Sequence, residues 1–325
     1  MEKTNMLPNS LNPKVSIIIP VFNGTNYMSC AIDCALNQSY ANKEIIVVND
    51  GSSDDGATER LALSYGEKIR YISKENGGVS SALNCGIAYM TGDYFAWLSH
   101  DDLYSTTRIE DAVNLMVRHD MIGKKCIGLT GGYVMDAGGT RIKDLHHNFD
   151  NDRTYSGFEV LNVMVRSGVL YGCSLLIPRV AFDEAGGFDE SLRYSQDALM
   201  WYRIFLAGYQ LVSDDLPNVM SRMHGAQVSH TRRDLFSRDA LVIAKELAEP
   251  MEKADPSGEL LFRYTKRLAR YECKEAICYL VNYMRANGSA TFVRQATIQT
   301  SRLIGFFRYR IVKWVKFLLM WIRHK

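Results

Sequence analysis

Over its first hundred residues the chain alternates between two hydrophobic periodicities. Residues 15–20 and 44–48 are short runs rich in β-branched side chains, and the continuous apolar run 15–20 suits a strand covered on both faces; 69–72 is a short strand candidate, and the apolar run 94–98 reads as a buried strand. Between the first two, Met28, Ala31, Ile32, Ala35 and Leu36 recur at intervals of three and four, which predicts a helix with one apolar stripe. Similar helices are predicted around Leu61 and Leu63, and through Ala82, Leu83 and Ile87 to Met90. Strands alternating with helices predict an α/β fold, with βαβ units on a mixed, mostly parallel sheet flanked by helices. In such sheets a ligand lies outside the carboxyl ends of the strands. Each predicted strand here runs into a polar loop: Asn23-Gly24, the stretch 49–56, Asn76-Gly77-Gly78, and Ser99-His100-Asp101-Asp102.

Further along, a helix is predicted for 107–119 and a strand for 126–135 that turns at 136–139. Residues 140–160 are polar and carry no clear periodicity. A strand at 170–177 ends on Pro178, 184–189 reads as a loop, and Ser195 or Gln196 opens a helix through Leu199, Trp201, Ile204 and Phe205. Strands at 209–212 and 219–223 close the pattern, and from about 231 the chain reads as helical. Four segments follow: a polar stretch 1–14, an α/β domain 15–230, a helical extension 231–300, and a basic amphipathic helix 301–325. In the extension Leu260, Leu261, Tyr264, Leu268 and Tyr271 share one helical face. In the last segment Arg302, Arg310, Lys313, Lys316 and Arg323 oppose Ile304, Phe307, Ile311, Trp314, Val315, Leu318 and Ile322. Its apolar run is too short to span a bilayer, so the expectation is an interfacial helix on an anionic membrane surface. Docking on the protein or an oligomer partner is the alternative.

Composition adds a compartment and an exclusion. Of 325 residues, 38 are basic and 36 acidic, so no global attraction to nucleic acid is indicated. The 7 cysteines form an odd set without Cys-x-x-Cys or zinc spacing, and read as reduced thiols, with Cys30 and Cys34 as small core residues of the first helix. The first residues lack the apolar core of a secretory signal. A cytoplasmic location follows, with peripheral attachment to the inner face of the membrane.

Adjacent Asp101 and Asp102 at a strand end, beside His100, suit a hard divalent cation that shares its coordination with a phosphate. Taken alone, the pair also suits a plainer role, with Asp102 or Ser105 capping the helix near Thr107. Asp50 could accept from a base N–H or ribose hydroxyls, or belong to a surface turn. The segment after Asn76-Gly77-Gly78 reads as a helix N-terminus, whose N–H groups would suit a phosphate.

Four segments, Val15-Ser-Ile-Ile-Ile-Pro-Val-Phe-Asn-Gly24, Val47-Val-Asn-Asp-Gly-Ser-Ser-Asp54, Glu75-Asn-Gly-Gly-Val-Ser-Ser-Ala-Leu-Asn-Cys-Gly86 and Trp97-Leu-Ser-His-Asp-Asp102, occur in an order that resembles family 2 glycosyltransferases of the GT-A fold. The resemblance covers about residues 15–230. It implies a metal-dependent, inverting hexosyltransferase-type enzyme that takes a nucleotide-sugar, commonly a UDP-sugar, with Mn²⁺ or Mg²⁺. The acceptor implied is a hydroxyl of a glycan or lipid-linked glycan, in cell-surface polysaccharide synthesis.

By motif position, Pro20, Val21, Phe22 and Asn23 line the nucleotide pocket and Asp50 contacts the base. Asn76, Gly77, Gly78, Ser99, His100 and Asp102 border the donor. Asp101 matches the last acid of the Asp-x-Asp metal motif, with Ser99 where the first acid often stands. Asp102, His100 or His224 would then assist Asp101 in holding the metal, and Arg222 or His224 would face the diphosphate. Ser195-Gln-Asp-Ala-Leu-Met-Trp201 resembles the segment that carries the general base, with Gln196 in place of Glu and Asp197 retained as the base. A carboxylate in the first turn of a helix is expected to have a lowered pKa. Two rival readings are a nucleotide-sugar-binding protein without turnover and a membrane-surface scaffold.

Overall fold

The computed structural model describes residues 12–168, 170–225 and 234–287. Backbone contacts divide the described residues into two units, one formed by 12–163 with 170–225, the other by 164–168 with 234–287.

In the first unit β1 (Val15–Val21), β2 (Lys43–Asp50), β3 (Arg70–Lys74) and β4 (Tyr94–Trp97) alternate with α1 (Met28–Leu36), α2 (Ala57–Leu63) and α3 (Val79–Tyr89). The chain continues through β5 (Leu103–Tyr104), α4 (Arg108–Arg118), β6 (Cys126–Met135), β7 (Arg141–Leu145), β8 (Arg153–Tyr155) and α5 (Gly157–Ser167). It ends with β9 (Leu175–Pro178), α6 (Val180–Ala185), α7 (Gln196–Leu206) and β10 (Gln210–Arg222). Every residue of β1 and β4 is buried, as continuous apolar runs require.

The sheet runs β3-β2-β1-β4-β9-β6-β10-β5, with β7 beside β6 and β8 beside β10. The first four strands are mutually parallel, and β6 with β10 forms a second parallel pair. β9 runs antiparallel between β4 and β6. The carboxyl ends of β1 to β4, β6 and β10 therefore share one edge with the amino end of β9. Because β2 and β4 flank β1 on opposite sides, the order reverses at β1, the place where open α/β sheets bind their ligands.

Several local expectations are corrected. The unassigned stretch 140–160 holds β7, β8 and the start of α5. The expected strand at 170–177 begins only at Leu175, because Gly172–Ser174 forms a 3₁₀ turn. Strands at 209–212 and 219–223 are one element, β10, with register irregularities between Ser213 and Val219 that kept the apolar alternation from reading as continuous. Cys30 is exposed, on the outer face of α1.

The second unit contains α8 (Asp234–Ala254), α9 (Glu259–Arg270) and α10 (Lys274–Ala286). Leu260, Leu261, Tyr264 and Leu268 are buried, whereas Tyr271, expected on the same face, lies past the end of α9 and is exposed. No helix among the described residues is long and apolar enough to cross a membrane. The predicted amphipathic helix at 301–325 lies outside the described residues.

Candidate active site

The loops that follow β1, β2 and β3 are tied to one another by side chains reaching across the edge. Asn23, with φ of 51°, donates its backbone N–H to Ser52 Oγ at 2.9 Å and accepts at Oδ1 from the Ser53 N–H at 2.8 Å. Gly24 donates to Thr58 Oγ1 and lies against His100, where a Cβ would come within 3.0 Å of the ring. Pro20 and Val21 are buried, and Phe22 stands out, 45% exposed, beside them.

Asp50 ends β2 and is buried. Its Oδ1 accepts from Lys74 Nζ at 2.8 Å and from the Gly77 N–H at 3.0 Å, and its Oδ2 from the Gly78 N–H at 2.7 Å. Asn76 Nδ2 donates to the Asp50 carbonyl. The N–H groups of Gly77 and Gly78 are thus turned to Asp50, not outward to a phosphate. Oδ2 retains one lone pair.

The two acids past β4 part company. Asp102 folds back as its N–H donates to the Ser99 carbonyl at 3.1 Å, and its carboxylate points inward. Oδ1 accepts from the Arg222 N–H at 2.8 Å; Oδ2 accepts from the Tyr171 hydroxyl at 2.5 Å and from the Cys173 thiol. Burial, then the charge of Asp101, pushes its pKa up to about 7 against the pull of these donors. Asp101 keeps more solvent, and its Oδ2 lies 2.9 Å from His224 Nε2. The His224 ring packs on Tyr27 with centroids 5.3 Å apart. Burial lowers the pKa of His100, opposed by Asp101 and assisted by His224.

Capping is excluded for the pair: α4 starts after Thr107 with no side-chain cap, and Ser105 Oγ donates to Asn218. Arg222, expected to face the diphosphate, is 6% exposed and faces inward. Its guanidinium donates to the carbonyls of Asp101 and Ala137 and lies over the Tyr27 ring. Ser99 Oγ lies 3.5 Å from Cys173 Sγ. Tyr27, Tyr171 and Cys173 had no signal in the sequence, since each reaches the acid pair only through tertiary contact.

Asp197 is the second residue of α7, after Ser195 as N-cap. The expected lowering of its pKa is reversed. Burial raises it to about 6, against backbone N–H groups of Ala198 and of Asp197 itself that pull the other way. Desolvation outweighs the helix terminus because no cationic partner among the described residues offsets it. Gln196 is buried, and its Oε1 has no hydrogen-bond partner among the described residues.

Residues 16–163 match the family described as Glycosyl transferase family 2. An uncharacterized glycosyltransferase of Rickettsia prowazekii is 45% identical over 229 residues, 70% of this chain and 69% of that protein. This chain belongs to glycosyltransferase family 2. The minor teichoic acid biosynthesis protein GgaB of Bacillus subtilis is 28% identical over 78% of this chain and 28% of its own length. Among the Rickettsia relatives the chain spans from 31% to 69% of their length. The crystal structure of S. aureus TarS in complex with UDP-GlcNAc superposes with a TM-score of 0.66 over 91% of each chain at 15% identity, a likeness of fold. The matched stretch takes in β1 to β4 and the loops that follow them, of which those after β1, β2 and β3 are tied together.

Proposed function

We propose that this family 2 protein is an inverting glycosyltransferase that moves a sugar from a nucleotide-sugar, of UDP type, to a hydroxyl of a glycan or lipid-linked acceptor in cell-surface polysaccharide synthesis. The carrying observation is the place of Asp197, a carboxylate in the family's base position as the second residue of α7, where burial makes it more basic than an ordinary carboxylate. The UDP-GlcNAc complex of the similarly folded TarS and the teichoic acid role in the name of GgaB support the donor and acceptor classes.

In the reaction, the acceptor oxygen attacks the anomeric carbon from the face opposite the diphosphate. Asp197 takes the hydroxyl proton as the new C–O bond forms. The bond to the phosphate oxygen breaks with its electron pair, and configuration inverts. Phe22 offers a flat apolar surface to the base, and the free lone pair on Asp50 Oδ2 can accept from a base N–H.

Asp101 and His224 fit Mn²⁺ or Mg²⁺ as two protein donors, an oxygen and a nitrogen already side by side. Among the described residues no cluster of three or more His, Cys, Asp or Glu is arranged to hold a metal, so the remaining ligands would be diphosphate oxygens and water, the usual arrangement for these ions. Such a cation, when bound, supplies positive charge beside the leaving diphosphate. Asp102 is no ligand in this proposal; it positions the Arg222 and Tyr171 backing of the site.

Nucleoside diphosphate release from a nucleotide-sugar panel with Mn²⁺ and candidate acceptors tests the reading. Release that is lost in Asp101→Asn is the expected result. Donor binding by calorimetry without release from any donor would instead support a binding protein without turnover.

A further inference from the structure

The loop between α6 and α7, residues 186–195, leads directly into Asp197 and is held at two places to the segment that begins at the Gly77-Gly78 turn. Near its start, Asn84 of α3 donates through Nδ2 to the Phe188 carbonyl at 2.9 Å and accepts at Oδ1 from the Phe188 N–H at 2.9 Å. Asn84 Nδ2 also reaches Glu190 Oε1 at 3.0 Å. Near its end, Arg193 crosses to the turn, and its Nη1 donates to the Gly77 carbonyl at 2.8 Å.

The second contact is built for an arginine head. A Cβ on Gly78 would lie 2.5 Å from Arg193 Nη1, so the guanidinium occupies the space that a side chain there would fill. The two partners are not equally dependent on it. Gly77 and Gly78 already donate to the buried Asp50 carboxylate, and Asn76 is bonded to the Asp50 carbonyl, so the turn is fixed from below. The loop's first half likewise has its own ties, through Asn84 and through Arg203, which donates to the Gly187 carbonyl at 2.9 Å. Arg193 is exposed and lies four residues before Asp197. Its bond therefore ties the loop's end, just before α7, to a turn that is itself braced by Asp50.

We infer that Arg193 is a positioning residue, which straps the start of α7 to the Gly77-Gly78 turn and so helps set the place of Asp197 relative to a donor whose base is held at Asp50, the carboxylate that braces that turn. This rests on the reading of Asp197 as the general base. A misplaced base slows proton transfer and acceptor attack while leaving nucleotide binding alone.

The test is a cycle of Arg193→Ala, Asp197→Asn and the double variant, read by transfer rate, UDP affinity by calorimetry, and melting temperature. Arg193→Ala is expected to lower kcat by about tenfold or more, with UDP affinity changed by less than about threefold and melting temperature unchanged, as suits an exposed side chain. Arg193→Lys is expected to regain part of the rate, because one N–H donor suffices for the Gly77 carbonyl. In the Asp197→Asn background the further loss from Arg193→Ala should shrink to about twofold or less, since a strap on an absent base has nothing to place. Full multiplication of the two losses, or a fall in UDP affinity with kcat preserved, overturns the strap and leaves the base reading standing. Undiminished transfer by Asp197→Asn overturns the base reading and the strap with it.

Discussion

Asp101 and Asp102 are neighbours in the chain and opposites in the structure. One faces His224 and the open edge, and the other is buried under Arg222, Tyr171 and Cys173. That they lie past a strand end was legible, because the apolar run before them stops there. Which one turns inward was not, since the direction depends on the hydrogen bond from Asp102 to Ser99 and on partners from the turn before β9 and from β10, far along the chain. Asp197 teaches the same lesson with a sign attached. The helix start alone predicts a lowered pKa, and burial reverses it to about 6. The base must be unprotonated, so kcat/KM for transfer is expected to fall about tenfold per pH unit below about 6 and to be level above it. Asp197→Asn should remove that acid limb and slow transfer by about 10²-fold or more with UDP affinity kept. A pH–rate profile of wild type and variant checks both, and a limb that survives in the variant would assign it to another group.

At the scale of elements, the first four strands and their helices were readable because each carries its own period and because β1, β4 and most of β2 are buried apolar runs, while the shorter, partly exposed β3 stood out only by its place between two helices. The second half was harder. β7 is exposed along nearly its whole length, and the irregular middle of β10 broke the alternation on which a strand is recognised. The loops were visible as polar stretches, but their mutual bracing was not. Gly51 is one place where this bracing becomes a backbone requirement. Its φ is +66°, and a Cβ would lie 2.5 Å from the Asn76 backbone nitrogen, where the loops after β2 and β3 meet. Gly51→Ala is therefore expected to cost about 1–3 kcal/mol of stability and to weaken UDP binding, because the shifted Asn76 carries the turn with it. Urea unfolding together with calorimetry measures the pair, and unchanged values for both would mean that the loops yield independently.

Across the whole first unit, the edge opposite the site is closed by another carboxylate. Glu44, at the start of β2, accepts from Ser16 Oγ, Thr91 N and Oγ1, Lys14 Nζ and Gly92 N, joining the starts of β1 and β2 to the chain entering β4. Burial alone would raise its pKa, but the hydrogen bonds from Ser16, Thr91 and Lys14 prevail and hold it at about 2. A depressed carboxylate stabilises the fold above its ordinary pKa of 4.5 and loses that contribution as pH falls toward about 2. The shift corresponds to about 3 kcal/mol at neutral pH. Glu44→Gln should thus be less stable than wild type at neutral pH, with the difference shrinking as pH drops from about 4.5 to about 2; a constant difference in denaturant unfolding would refute the clasp. The two edges of one sheet do different work, stability at the amino ends and the candidate chemistry at the carboxyl ends. What the sequence by itself determined was the α/β alternation, the polar loops at the strand ends and the family, because these rest on local periodicity and short motifs. Only the tertiary structure decided that Asp102 is buried, that Arg222 braces the interior, that Asp197 is raised, and that Arg193 reaches Gly77. Burial and hydrogen bonding between residues scores of positions apart set both charge and direction, and no local pattern encodes them.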